Sequence, residues 1–314
     1  MTTAPWFDSA EHRAQDVPAP LPGWRDVLME HVRTMGAALR VPILIALALA
    51  VVGTIALAVQ VRMGNIDKHF LAEPSSLPGI IGALLPVALW AREERFGPGF
   101  LWTLPVDRSR HALLRVLAGW LWLMAGVALY LVCQLVLALV HDGTVLPVVT
   151  LQILTAPLAT SGPLDPAALR AVQWAPGPIV WIIPIAAATA TYLVASAIML
   201  GIRHHLRWFA GALVAAFVAN VIAEILSRLL GAPWLSGAPA RALTRLIDGR
   251  FGLEMLLTLR TWSLDTRVTM TTGERLHAWA AVPSLADWRI AALLWTAAGL
   301  VALWAAAARH REQR

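Results

Sequence analysis

Long apolar runs alternate with short charged segments along most of the chain. A helix needs about 20 apolar residues to cross the hydrocarbon core of a bilayer. Reading from one charged residue to the next, we predict six membrane-spanning helices, near residues 41–61, 77–91, 116–140, 179–201, 208–226 and 290–308. The second run is short and contains two prolines, so it departs most from an ideal span. The pattern predicts an all-α polytopic membrane protein whose transmembrane domain covers residues 41–308.

The composition agrees with a membrane location. The chain has 314 residues, of which 58% are hydrophobic and 14% charged. A soluble domain carries about 25% charged residues, so this chain lacks the polar surface that a large soluble domain requires. Its net charge is +6, and nearly all of its 25 basic residues are Arg, placed in short segments between the apolar runs. That distribution is typical of loops anchored at membrane surfaces. We therefore expect membrane lipid around the protein and no nucleic-acid partner.

The distribution of basic residues predicts that both termini lie in the cytoplasm. With residues 1–40 inside, the inner segments carry most of the Arg residues, whereas the two shorter outer loops carry only Arg62, Lys68 and Arg170. The long outer segment before the sixth span is also basic, but long segments weigh little in the positive-inside rule. Because residues 1–40 contain no apolar core, we expect the first span to act as an uncleaved insertion signal. The expected location is a bacterial-type inner (plasma) membrane, with residues 309–314 as a cytoplasmic tail.

Residues 24–40 precede the first span and predict an amphipathic helix. The segment has one apolar stripe, which consists of Trp24, Val27, Leu28, Val32, Met35 and Leu39. Charged residues lie largely off this stripe, so the helix is suited to lie flat on the inner leaflet. Two roles are open: a simple membrane anchor, or a lever that passes force from a cytoplasmic partner into the first span.

Two outer segments are more elaborate than simple connections. Residues 144–159 are apolar but interrupted by two prolines, and they form either an interfacial or re-entrant segment or a seventh span. A seventh span would place the later Arg residues outside, so we favour the interfacial or re-entrant segment. Asp165-Pro166 has the pattern of a helix cap followed by the first residue of a short helix. Within 230–287, apolar residues recur at helical spacing, which predicts short helices on or dipping into the outer leaflet.

The predicted inner loop between the second and third spans, residues 91–115, is longer and more varied than a turn between helices needs to be. It opens with charged residues, including Glu93 and Glu94, and the run after them breaks at Pro105. Between these points lies an apolar patch made of Phe96, Phe100, Leu101, Trp102 and Leu104. Such a patch on an inner loop is typical of a docking surface for another protein. The alternative is an interfacial helix whose aromatic residues face lipid.

This loop resembles the corresponding loop of permeases of the type-2 class of ATP-binding-cassette (ABC) transporters, which has an acidic start, a Gly and then Leu-Pro-Val-Ser-Arg. The chain departs from that pattern at Asp107, where Ser is usual, and at Gly97-Pro98-Gly99, where Gly-Thr is usual. These glycines and the proline should bend or interrupt the loop helix. In the family the loop is a coupling helix that seats in a groove of the ATPase subunit. The resemblance assigns this coupling role to Glu93, Glu94, Gly97, Leu101, Trp102, Leu104, Pro105, Val106 and Arg108.

The resemblance implies a membrane-spanning permease subunit of an ATP-driven exporter. It also implies a homodimer, or a dimer with a similar permease, flanked by two ATPase chains. The ATPase subunit would bind ATP and Mg²⁺, since this chain has no Gly-x-x-x-x-Gly-Lys-Ser/Thr motif. We therefore expect no catalytic, cofactor-binding or metal-binding residues in this chain, which has a single cysteine.

Asn220 and Glu224 are polar residues within a predicted span. They lie one turn apart, with Arg228 one turn further. Glu at position i with Arg at i+4 is a favourable helix pair, which is the structural interpretation. The functional interpretation is a lining or gate of a translocation pathway.

Two other classes of function stay open. A membrane enzyme or processing factor would need ionisable residues clustered at one depth within the spans, and the pattern shows only Glu224. A stand-alone secondary carrier would favour charged residues near the midplane and more spans. An ATPase with a phosphate-binding loop, encoded beside this chain, would favour the transporter over both alternatives.

Overall fold

The computed structural model describes most of the chain as helix. The described residues are 23–63, 76–90, 108–142, 145–146, 148–155, 165–202, 205–230, 237–259, 265–271, 273 and 275–312. Within them the α-helices are α1 (Trp24–Arg62), α2 (Leu77–Trp90), α3 (Arg108–Asp142), α4 (Ile183–Gly201), α5 (His205–Leu230), α6 (Ala238–Asp248), α7 (Leu253–Thr258) and α8 (Leu285–Glu312). The strands are β1 (Val149–Leu154), β2 (Leu169–Trp174), β3 (Asp265–Thr269) and β4 (Arg275–Trp279).

Several of these helices have the length and composition of membrane spans. In the described part of the chain, four stretches are long and apolar enough to cross a bilayer: Ile43–Gln60, Ser109–Val140, Gly177–Gly201 and Leu285–Arg309. They correspond to the first, third, fourth and sixth predicted spans. The second and fifth correspond to shorter apolar helices, Leu77–Trp90 and Phe217–Ser227. A mostly helical, membrane-embedded protein is therefore confirmed, while the six-span layout and its orientation stay predictions.

The two predicted outer segments meet in a small sheet, which adds four strands to the predicted all-α architecture. Its strand order is β2-β1-β4-β3. β1 pairs antiparallel with β2 and parallel with β4, and β3 pairs antiparallel with β4. Residues 149–154 are thus a strand, which excludes a helical seventh span there. β-branched residues such as Val149, Thr150 and Ile153 favour this outcome.

Asp165 and Pro166 form the cap that the sequence predicts. The Asp165 carboxylate accepts a hydrogen bond from the Ala167 backbone N–H at 3.0 Å, and Pro166 is the first residue of a single 3₁₀ turn, Pro166–Ala168. Two short helices, α6 and α7, are present where the spacing within 230–287 predicts short helices, and their outer location stays a prediction.

Helix α4 is the centre of the bundle, because it packs against both α2 and α8. Many of its buried residues are small, among them Ala187, Ala188, Ala190, Ser196 and Ala197. Small residues allow helix backbones to approach closely, which is the main source of packing energy between helices in lipid. Two hydrogen bonds hold α4 to neighbouring helices. Thr191 Oγ1 donates to the Gly79 carbonyl of α2 at 2.8 Å, and Tyr192 Oη donates to the Val116 carbonyl of α3 at 2.7 Å.

The close approach of α2 to α4 gives a stability prediction at Gly82. A Cβ at this position would lie 2.5 Å from the Ala188 carbonyl oxygen and 2.6 Å from Thr191 Oγ1. We expect Gly82→Ala to lower the free energy of unfolding in detergent by about 1–3 kcal/mol, since it overpacks a well-packed contact. The matched control is Gly126→Ala on α3, where a Cβ would meet nothing within 4 Å. The control should be neutral or slightly stabilising, and equal effects of the two substitutions would contradict the packing described.

Candidate functional site

The predicted coupling residues lie at the boundary of the described chain. Arg108 is the first residue of α3, and its side chain lies outside the described set. The other eight, from Glu93 to Val106, lie outside the described residues. What the structure does describe are the two helices that flank this segment, α2 ending at Trp90 and α3 beginning at Arg108.

Arg115 ties these two helix ends together. Its Nη2 donates a hydrogen bond to the Leu89 carbonyl at 3.0 Å, which satisfies a carbonyl in the last turn of α2. The same guanidinium lies 5.0 Å from the ring centroid of Trp90, within the range of a cation–π interaction. Trp90 is only 2% exposed. Arg115 therefore holds the end of α2 against the first two turns of α3.

The amphipathic half of α1 packs on the same part of α3. Trp122 Nε1 donates to the Val32 carbonyl at 3.0 Å. Gly36 makes room for this ring, because a Cβ there would lie 2.6 Å from Trp122 Cζ2. The apolar stripe residues Leu28, Val32, Met35 and Leu39 join the main core cluster of the protein. We call the contacts made by α1 residues 28–39, the end of α2 and the start of α3 the α1–α2–α3 junction.

This packing changes the interpretation of residues 24–40. The stripe that was expected to rest on lipid has a protein partner in α3. Moreover, α1 runs without a break through 39 residues, a length of about 58 Å at 1.5 Å per residue. The amphipathic half and the first span therefore form one continuous helix. Of the two open roles, this continuity fits a lever that acts on the first span better than a simple membrane anchor.

Two histidines meet in the junction. The rings of His31 and His111 lie edge to face with centroids 4.5 Å apart. Partial burial, together with the charges of the neighbouring His111 and Arg115, lowers the pKa of His31 to about 4. Among the described residues, no group of three or more His, Cys, Asp or Glu side chains could hold a metal ion.

Asn220 and Glu224 lie on the less exposed face of α5. Asn220, Ala223, Glu224 and Ser227 follow helical spacing and are half-buried or buried, whereas apolar neighbours such as Phe217 are exposed. The Asn220 Oδ1 atom is buried and accepts no hydrogen bond from the described residues. Polar side chains within a membrane helix are typical of a polar contact or of a pathway. The predicted ion pair with Arg228 is untested, because that side chain lies outside the described set.

Glu254 is an acidic residue that the sequence analysis passed over. It lies on α7, half-buried, in the apolar run 251–259. The neighbouring Leu256 packs against Ala187 and Ala190 of α4, which belong to a candidate span. A lone acid inside an apolar run was the available signal, and it was missed because this run is too short to count as a span.

Comparison with models of protein families, with curated proteins and with solved structures finds no match to this chain. The functional interpretation therefore depends on the residues and contacts described above.

The junction predicts an acid-sensitive contact between α1 and α3. The pKa of His31 is about 4 in the folded protein and about 6.5 in the unfolded chain. Between these two pH values the unfolded chain therefore binds more protons than the folded protein. Stability contributed by neutral His31 is thus present near pH 7.5 and is lost as the pH falls below 6.5. Because His31 is half exposed, we expect a loss on the order of 1 kcal/mol near pH 5.

The measurement is the thermal unfolding midpoint in detergent at about pH 7.5 and about pH 5. His31→Gln should reduce the acid-induced drop by about 2 °C or more relative to the unsubstituted protein. An equal drop in both proteins would contradict the assignment to His31.

Proposed function

We propose that this chain is the membrane-spanning permease subunit of an ATP-driven ABC transporter of the exporter type, with ATP hydrolysis in a separate chain. The observation that carries the proposal is the position of the Glu93–Arg108 motif. The motif connects α2 and α3, which Arg115 binds to each other, and α3 in turn contacts α1 through Trp122. A loop attached in this way is suited to receive force from a docked protein.

The proposed mechanism begins at the loop, residues 91–107. Closure of the ATPase subunits around ATP pushes the loop, which moves the beginning of α3. α1 follows because the Trp122 indole is bonded to the Val32 carbonyl and fills the space beside Gly36. α4 follows because Tyr192 is bonded to the carbonyl of Val116, one residue after Arg115. The loop thus acts on α1 and on α4, the centre of the bundle, through one cross-helix bond to each.

The proposed pathway lies beside α5, where Asn220 and Glu224 face away from the most exposed, apolar side of the helix. One copy of the chain offers few spans to enclose a pathway. We therefore propose a homodimer, or a dimer with a similar permease, with two ATPase chains that bind ATP and Mg²⁺. Residues 43–60 of α1 support this arrangement, because none of them is buried within the single chain.

Charge reversal tests the docking assignment. The tagged chain is isolated from its own host membrane, and the proteins that accompany it are sequenced to find an ATPase with a phosphate-binding loop. Glu94→Lys together with Arg108→Glu should release this ATPase without changing the thermal unfolding midpoint, since both residues belong to the proposed docking segment. Arg289→Glu, an exposed residue at the start of α8, is the control and should keep the ATPase bound. Retention of the ATPase by the double variant would exclude the assigned docking segment.

A second experiment tests transmission from the junction to α5. Cys133 is the only cysteine, so Cys133→Ala gives a background in which Asn220→Cys is the sole thiol. In the complex with its ATPase, reaction of this thiol with a membrane-impermeant maleimide should rise when non-hydrolysable ATP is added, because the pathway opens. Trp122→Ala should abolish the rise while the ATPase stays bound, since it removes the bond to Val32. A nucleotide response that is unchanged by Trp122→Ala would contradict the proposed route.

A further inference from the structure

Helix α6 is amphipathic and lies beside α5 and α7, yet most of its side chains are exposed. None of its residues is buried, and every side chain from Ala240 to Ile247 is exposed. Leu243, Leu246 and Ile247 lie on one face by their spacing of three and four residues, with exposures of 48%, 56% and 42%. Arg241 and Arg245 lie one turn apart on the opposite face. The helix thus presents a narrow apolar stripe and a basic stripe at the same time.

The end of α6 is fixed to the beginning of α8. Arg250, two residues beyond the helix, forms an ion pair with Asp287 in the first turn of α8, with Nε and Oδ2 separated by 2.8 Å. The chain that follows is held by two indoles of α8. Trp295 Nε1 donates to the Phe251 carbonyl at 3.1 Å, and Trp288 Nε1 donates to the Leu256 carbonyl at 3.3 Å.

These contacts set the depth of α6 in the membrane. The candidate span of α8 begins at Leu285, so the Arg250–Asp287 pair lies at the end of a span, where the hydrocarbon core meets the headgroups. From Trp288 to Trp295 the helix advances about 10 Å, at 1.5 Å per residue. The turn after α6 therefore dips along α8, while α6 itself ends close to the level of the span end.

An amphipathic helix at this level has a natural partner in the bilayer. Such a helix places its apolar face among the upper acyl methylenes and keeps its basic face at the headgroups. Guanidinium groups present paired N–H donors that match the oxygens of a phosphate. A contact with a second protein copy would cover one face of the helix, but the basic stripe lies directly opposite the apolar one. A bilayer surface suits both stripes together.

We propose that α6 binds the phosphate groups of phospholipid headgroups through Arg241 and Arg245, with Leu243, Leu246 and Ile247 inserted among the acyl chains. Lipid bound there would hold α6 at the membrane surface and, through the Arg250–Asp287 pair, would support the insertion of α7 between α4 and α8. This proposal is independent of the ATPase partner and of the direction of transport.

Spin-label accessibility in the full chain tests the orientation of α6. In the Cys133→Ala background, a nitroxide is placed at Leu246→Cys or at Arg245→Cys, and the protein is reconstituted in phospholipid vesicles. The label at 246 should collide more often with oxygen, which concentrates in the membrane, than with a water-soluble nickel complex. The label at 245 should show the opposite preference. Preference for the nickel complex at both sites would place α6 in water and overturn the proposal. Low collision with both reagents at 246 would indicate protein coverage, such as a second copy, and would overturn it as well.

Retained lipid tests the role of the two arginines. The purified full chain is loaded with phosphatidylglycerol, and the bound lipid is counted by native mass spectrometry. Arg241→Gln and Arg245→Gln should each weaken binding about fivefold, as expected for one cationic side chain at an anionic lipid surface. Arg170→Gln, an exposed residue of β2, should leave it unchanged. No loss in the α6 variants, or an equal loss in the β2 control, would contradict the headgroup site.

Discussion

Side-chain hydrogen bonds to the backbone carbonyls of neighbouring helices are the interactions on which this bundle depends. Within lipid, apolar side chains gain little by leaving the solvent, so helices associate through close packing and polar contacts. Here Thr191 bonds to Gly79, Tyr192 to Val116, Trp122 to Val32 and Trp288 to Leu256. Each bond joins two segments distant in sequence. Three of these bonds have a glycine beside the side chain that donates: Gly82 at Thr191, Gly119 at Tyr192 and Gly36 at Trp122.

The same bonds connect the two ends of the molecule. Arg115 binds the first two turns of α3 to the end of α2, and Trp122, further along α3, binds this helix to α1. Tyr192 and Thr191 then carry the contact to α4, which packs with α7 and α8. α4 thus contacts α3, which follows the loop that would receive force, and also α7, which follows α6. A rigid central helix with contacts at both ends is suited to an all-or-none change of the bundle.

The sequence predicts the parts of this fold that local chemistry determines. The apolar runs between charged residues predict the long helices, and the Asp165-Pro166 pair predicts the cap of the short 3₁₀ turn that follows it. The strands were not foreseen, because β1 and β4 pair across more than a hundred residues and their short apolar runs resemble interfacial helix. The stripe on residues 24–40 was recognised, but its protein partner α3 follows from tertiary packing. Glu254 and the Trp–carbonyl bonds were missed for the same reason: their meaning comes from helices that approach only in the folded chain.

The central claim is that the segment around Leu104-Pro105-Val106 faces the cytosol and serves as the attachment point for a separate ATPase. The most direct measurement is sided thiol labelling of Leu101→Cys in the Cys133→Ala background, in sealed membrane vesicles of both orientations. The account predicts reaction with an impermeant reagent only from the cytoplasmic side, and protection when the ATPase subunit is bound. Reaction from the opposite side would contradict the transporter assignment and would leave only a membrane protein with several spans.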